Sequence, residues 1–251
     1  MGHLTTTAAV ATAAALGLPG AASAAPVQDF SVRVDSRSSN VKAGTSKKPR
    51  PHSLRIQTGT RETTPGVQPP TTRRATIYFA RGSRYNGAWF RGCASSRINA
   101  AKATDPCASA ARIGRGRAAG LAPGPIAQDD LRIDAMNGIK GRYVNLFVEG
   151  RSPLRIQSNI VARVSRASGN YSYKLDVPIP QNLQEPAPGV PVAITNFEVN
   201  VNRKTTRRAG KTRGYIESTA CPSNRRWTFK GVFEYTNGER ATVTDTVRCR
   251  R

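Results

Sequence analysis

The strongest constraint on this chain is the spacing of its apolar residues. They recur at every second position, in short runs cut by turn residues, rather than at the 3.6-residue period of a helix. Phe30, Val32 and Val34 alternate with Ser31, Arg33 and Asp35. Leu54, Ile56 and Thr58 alternate with Arg55 and Gln57, and Ala75, Ile77 and Phe79 with Thr76 and Tyr78. Successive side chains of a strand point to opposite faces, so each run predicts a strand buried on one face. Leu131, Ile133 and Ala135 lead into Asn137-Gly138, ahead of residues 142–149. Asn-Gly suits the two positive-φ positions of a primed turn, which predicts a hairpin there. A second hairpin sets Ile160, Ala162 and Val164 against Tyr171, Tyr173, Leu175, Val177 and Ile179, with its turn at Ser168-Gly169-Asn170. Ile194, Phe197, Val199 and Val201 skip a beat at Thr195-Asn196, which predicts a bulge.

The last hairpin can be tested for register. Trp227, Phe229, Gly231, Phe233 and Tyr235 share one face of its first strand, and Ala241, Val243 and Val247 one face of its second. A two-residue Asn237-Gly238 loop would put these sets on opposite faces. A three-residue loop, Thr236 to Gly238 with Gly238 in the left-handed region, pairs Phe233 with Ala241, Trp227 with Val247 and Glu234 with Arg240. A one-residue slip flips every side chain, so the second register is expected. It places Asp245 opposite Phe229, on the aromatic face, either at the rim or paired with a basic group.

The one helical candidate is short, around residues 94–103. Strands without βαβ alternation predict an all-β chain: an antiparallel β-sandwich of about ten strands, with one short helix between the first two cysteines. The length, 251 residues, fits one large β domain or two small ones. We expect one, spanning residues 25–251, with the Pro-rich stretch near 180–191 as the alternative boundary. Residues 4–24 are uncharged and rich in Ala and Leu, and end in Ala22-Ser23-Ala24. They read as a signal peptide over residues 1–24, although its first residues carry no Lys or Arg. No apolar run approaches the ~20 residues that span a bilayer.

Four cysteines fit export to an oxidising compartment. They allow three connectivities, and the local one, Cys93 with Cys107 and Cys221 with Cys249, is preferred because each pair lies inside its own predicted substructure. No CxxC spacing supports a metal site.

Groups able to do chemistry are scarce. With two histidines, His-dependent triads and multi-His metal sites are nearly excluded, and His52 reads as a solvated residue of a Lys/Pro loop. Gly114 to Gly120 superficially resembles a dinucleotide loop but lacks the flanking strand and helix, so it reads as a closely packed Gly/Ala strand. Asp129, Asp130 and Asp134 form the one acidic cluster, without the spacing or turn glycine of a Ca²⁺ loop. No cofactor, metal or catalytic residue is assigned.

Charge is the loudest functional signal. The chain carries 39 Lys+Arg against 15 Asp+Glu, a formal +24. Residues 36–55 hold Arg37, Lys42, Lys47, Lys48, Arg50 and Arg55 with no acid, and residues 203–213 hold Arg203, Lys204, Arg207, Arg208, Lys211 and Arg213 with no acid. Arg248, Arg250 and Arg251 end the chain. Loops of this kind attract polyanions, and their simpler role is to keep an exported protein in solution. Aromatic residues do not interleave with them, which argues against base stacking and nucleic acid.

Arg81-Gly82-Ser83-Arg84-Tyr85-Asn86 precedes Cys93, and Cys107-Ala108-Ser109-Ala110-Ala111-Arg112-Ile113-Gly114-Arg115-Gly116 follows. The closing segment runs Ala220-Cys221-Pro222, Arg226-Trp227-Thr228-Phe229, Tyr235-Thr236-Asn237-Gly238 and Cys249. Together these resemble an uncharacterised family of secreted, disulfide-containing β proteins from soil actinobacteria, with a PxGxxxN…C…CPxxSxxGxG pattern and a C-terminal CP…W…NG…C pattern. Ala80, Ala108 and Ala111 depart from it, replacing two prolines and a serine. The resemblance implies export, disulfides and β structure over residues 27–251, and no activity.

The sequence thus predicts a secreted, non-enzymatic β-sandwich that binds an anionic cell-envelope polymer or polysaccharide through Lys42, Lys47, Lys48, Arg50, Arg203, Lys204, Arg207, Arg208, Lys211 and Arg213. The alternatives are a polysaccharide-active hydrolase with two carboxylates across a cleft, and a structural exoprotein with no fixed ligand.

Overall fold

A computed structural model describes residues 26–61, 67–124 and 126–251. The signal peptide expected at residues 1–24 lies outside them. Strands β1 (Val27–Val34), β2 (Val41–Lys42), β3 (Arg50–His52) and β4 (Leu54–Arg61) come first, then β5 (Thr72–Ala80) and β6 (Ser83–Tyr85). A short helix, α1 (Ser95–Ala101), lies between Cys93 and Cys107. Next come β7 (Arg112–Ala122), β8 (Ile126–Asn137), β9 (Tyr143–Gly150), β10 (Ile156–Arg166), β11 (Tyr171–Pro178) and β12 (Ala193–Val201). The chain closes with β13 (Thr205–Arg208), β14 (Lys211–Gly214), β15 (Ile216–Ser218), β16 (Arg226–Tyr235) and β17 (Arg240–Arg250).

The all-β, antiparallel architecture and its short helix agree with the sequence. Twelve strands form one sheet, in the order β1-β4-β12-β7-β8-β9-β10-β11-β5-β16-β17-β2. From β1 to β17 every ladder is antiparallel. The sheet curls until β1 lies beside β17, so the two facing layers are opposite walls of a near-barrel. Ten antiparallel steps make β1 and β17 run in the same direction. The side chain of Asp245 spans their seam, its Oδ2 accepting the Val32 N–H at 2.6 Å. Beyond that point β2 continues the seam, pairing parallel with Cys249 and Arg250.

Alternation decides what enters the barrel. Ile133, Ala135, Leu146, Val148, Ile160, Ala162 and Val199 share one buried cluster. Val32, Val34, Leu54, Trp227, Phe229 and Val247 form a second. Outside the barrel, Ile98 of α1 packs on Met136 and Phe147, whose neighbours in sequence face inward.

The register predictions can be read residue by residue. Phe233 pairs with Ala241, Trp227 with Val247 and Glu234 with Arg240, and Gly238 has φ +87°. Val164 pairs with Leu175, and Gly169 turns that hairpin at φ +66°. The β12–β7 register shifts between Ile194 and Asn196, where the bulge was expected. Residues 114–120 lie in β7. One reading is corrected. Asn137-Gly138 does not make a primed turn: Gly138 has φ −80°, and a 3₁₀ turn at Ile139–Gly141 joins the strands. Asn137 is withdrawn from the turn because its fully buried amide donates to the carbonyls of Gly87 (3.0 Å) and Arg91 (3.1 Å). Asp245 pairs with Phe229 and is half-buried, in keeping with the rim rather than the ion-pair alternative, and it accepts the backbone N–H groups of Val32 and Thr246.

Candidate functional site at the basic end of the barrel

One end of the barrel is closed by a three-stranded sheet, β3-β15-β6. His52 pairs with Ile216 and Arg50 with Ser218. The β13–β14 hairpin leans on this sheet: a Cβ on Gly214 would come within 2.6 Å of the Pro51 Cβ. Buried Glu217 clamps the junction. It accepts the Gly214 N–H at 2.7 Å and the Asn86 amide at 3.0 Å, and faces Arg84 at 3.8 Å. Both disulfides, Cys93–Cys107 and Cys221–Cys249, form in the local connectivity. The second of them ties β17 to the entry of β16 beside β2.

This topology brings the two acid-free segments together. Lys42, Lys47, Lys48 and Arg50 come from β2, β3 and the turn between them, and Arg207, Arg208 and Lys211 from the adjoining hairpin. All seven are exposed, and none is in an ion pair among the described residues. Arg250 joins them by pairing with Lys42. The other three candidates have partners. Arg203 reaches Asp35 at 3.0 Å. Lys204 donates to the carbonyls of Ala110 (2.7 Å) and Arg112 (2.6 Å), and partial burial, helped by the Arg112 charge, lowers its pKa. Arg213 stacks over Trp89 at 5.7 Å, so an aromatic does meet the basic hairpin, delivered from a remote turn.

Beneath this surface lies a chain of three groups that the sequence reading missed. His52 is 3% exposed, not solvated. Its Nδ1 is 2.8 Å from Asp35 Oδ2 and its Nε2 2.8 Å from Ser218 Oγ, with Trp227 edge-on at 5.7 Å. Burial lowers the His52 pKa, with the Asp35 carboxylate opposing, so the ring is neutral and Nδ1–H donates to Asp35. Burial would raise the Asp35 pKa, but the His52 and Ser53 hydrogen bonds and the Arg203 charge outweigh it and hold the carboxyl low. The connectivity is that of a Ser-His-Asp acyl-transfer triad. Access is another matter. Ser218 Oγ also accepts the Gly44 N–H at 2.9 Å, and a Cβ on Gly44 would come within 2.5 Å of the Ser218 carbonyl oxygen. The turn after β2 therefore covers the hydroxyl. In this arrangement the three groups pin β3 and β15 to the end of β1.

The acidic cluster is dispersed. Asp134 faces Arg112 at 3.3 Å and Arg115 at 3.6 Å, while Asp130 accepts the Arg151 N–H at 2.8 Å. No group of three metal-ligating side chains occurs among the described residues. No helix there is long and apolar enough to cross a membrane.

Fold and site together define an antiparallel β near-barrel, pinned by two disulfides and basic at one end. No protein-family model, curated protein or solved structure matches the chain.

Proposed function

We propose that this is a secreted, non-enzymatic protein that holds an anionic cell-envelope polymer or polysaccharide on its basic end. One observation carries the reading. The hairpin lies on β3, so the exposed cations of two segments about 160 residues apart in sequence share one end, while the nearby carboxylates of Asp35 and Glu217 are turned inward and partnered. A clustered field of one sign raises the local concentration of a polyanion and is screened by salt. The two disulfides, and the signal peptide expected from the sequence, support an extracytoplasmic setting. In a sedimentation assay on purified cell wall, retention falls at least about tenfold between about 50 mM and about 500 mM salt. Replacing Lys47, Lys48, Arg207, Arg208 and Lys211 together by Gln abolishes it at low salt. Salt-independent retention, or full retention by that variant, overturns the proposal.

A second reading, hydrolysis, has one specific observation behind it, the Asp35–His52–Ser218 chain. A fluorophosphonate probe separates the two. Labelling of the native protein that is lost in Ser218→Ala makes it a serine hydrolase, and absence of labelling leaves the chain as a structural pin.

A further inference from the structure

The interior of the barrel contains a cavity of about 130 Å³. Protein interiors pack to crystal density and seldom leave voids larger than one water. Here the consequence is visible in individual residues. Ile56, Phe79, Val164, Leu175, Phe197 and Val201 all line the cavity, yet each is only half-buried because space remains in front of it. Strand number explains the room. Eight strands give a barrel its side chains just fill, and diameter grows with strand count. Eleven strands run from β1 to β17 around this sheet. A second void of about 40 Å³ lies behind Ile194 and Phe197, which border both.

The chemistry of the walls selects the occupant. The amide, phenol and charged groups at the two ends are already partnered. At one end the Gln28 amide donates to Thr58 Oγ1 (2.6 Å) and the Gly59 carbonyl (2.9 Å), and it accepts from Thr60 Oγ1 (3.0 Å) and Tyr235 Oη (2.7 Å). At the other end Tyr85 and Tyr215 both donate to Asn137 Oδ1, at 3.3 and 3.1 Å, and Arg84 faces Glu217. Burial raises both phenol pKa values, Tyr85 to about 12, so neither supplies a charge. A charged or strongly polar guest would lose its hydration and gain no partner. An apolar guest loses nothing, and a dry cavity of ~150 Å³ lined by Leu, Ile and Phe is large enough for benzene.

We infer that the barrel interior is a binding site for a small, uncharged, apolar molecule, about the size of one aromatic ring or a short branched alkane. The site lies inside the barrel, beneath the sheet that closes the basic end, and does not depend on polymer binding. The full chain with its disulfides intact is titrated with benzene, with benzoate and with xenon. Benzene raises the midpoint of thermal unfolding saturably, by about 3 °C or more at ten times its Kd. Benzoate does not. Xenon shifts the methyl resonances of Ile56, Val164, Leu175 and Val201 and leaves those of the outer cluster around Ile98 unchanged. Val164→Phe fills the space and removes the benzene response. If that variant does not fold, Val201→Phe and the xenon map on the native chain carry the test. No saturable response to benzene or xenon, methyl shifts outside the barrel, or benzoate binding as tightly as benzene would each overturn the inference.

Discussion

Asp245 on β17 accepts the backbone N–H of Val32 on β1 at 2.6 Å, across the seam where the main sheet has no backbone ladder among its described residues. Its other oxygen accepts the Thr246 N–H at 2.7 Å. Val32 is buried, so without the carboxylate its N–H would be an orphaned donor. Two neighbouring walls of the barrel are thus joined by a side chain standing in for a strand-to-strand bond.

Asp245→Ala should therefore destabilise the fold by about 1–3 kcal/mol, the penalty for a buried unsatisfied donor. Asp245→Asn keeps an acceptor and should cost less. Urea unfolding measures both, and amide exchange at Val32 should accelerate in the Ala variant before the β16–β17 amides change. Equal exchange at Val32 in native and Ala proteins would mean the seam is held by something else.

The same relationship shows how much of the fold was legible. The β16–β17 register follows from a local rule, that a slip of one residue exposes Trp227 and Phe233, and the sequence alone suffices for it. The bulge at Thr195-Asn196 and the Gly169 turn are likewise local. Closure is not. It depends on β4 pairing with β12 and β5 with β16, partners separated by more than a hundred residues and without distinguishing patterns. Asn137 was misread for a related reason. Its turn propensity was real, but the carbonyls of residues 87 and 91 claimed its amide, and that contact is invisible from either segment. The basic residues were readable by composition, whereas their meeting at one end, and the partners of Arg203 and Lys204, required the topology.

His52 gives the fold a pH dependence with a definite sign. Its pKa is below the ordinary histidine value in the folded chain, so the unfolded chain binds the extra proton. Stability rises with pH wherever the unfolded state holds more protons. Stability should therefore be complete above about pH 6.5, the unfolded value, and should decline as the pH falls below it. Asp35, also held low, adds a second loss below about pH 4. His52→Gln should remove the upper limb of the profile and keep the lower one. Denaturant midpoints across about pH 2 to 8 supply the measurement, and an unchanged upper limb in the variant would show that another group titrates.

Reduction offers a separate probe of the basic end. Cys221–Cys249 closes a loop of 28 residues' separation, and its removal should cost about 2–4 kcal/mol. The double substitution Cys221→Ala, Cys249→Ala frees the end of β17 where Arg250 pairs with Lys42. Thermal unfolding should shift down while the β7–β10 wall keeps its exchange protection. Loss of protection throughout the sheet would instead show that this bridge is needed for the whole barrel to close.

Lys204 and Arg207 lie three residues apart in one basic segment, and the structure separates their roles. The Lys204 ammonium donates to two main-chain carbonyls, of Ala110 and Arg112, and those acceptors lose their partner if it goes. Lys204→Met should therefore lower stability by about 1–2 kcal/mol, discounted from the full value of a charged hydrogen bond because the group is partly solvated. Arg207 is exposed and has no ion-pair partner among the described residues, so Arg207→Gln should change stability by no more than about 0.5 kcal/mol. Polymer retention should respond in the opposite order. Arg207→Gln, combined with Arg208→Gln, weakens retention at low salt, and Lys204→Met leaves it near native once the protein is folded. Measuring unfolding and wall retention on the same preparations tests both halves. If Lys204→Met weakens retention as much as the arginine pair does, its charge belongs to the binding surface and not to the frame beneath it.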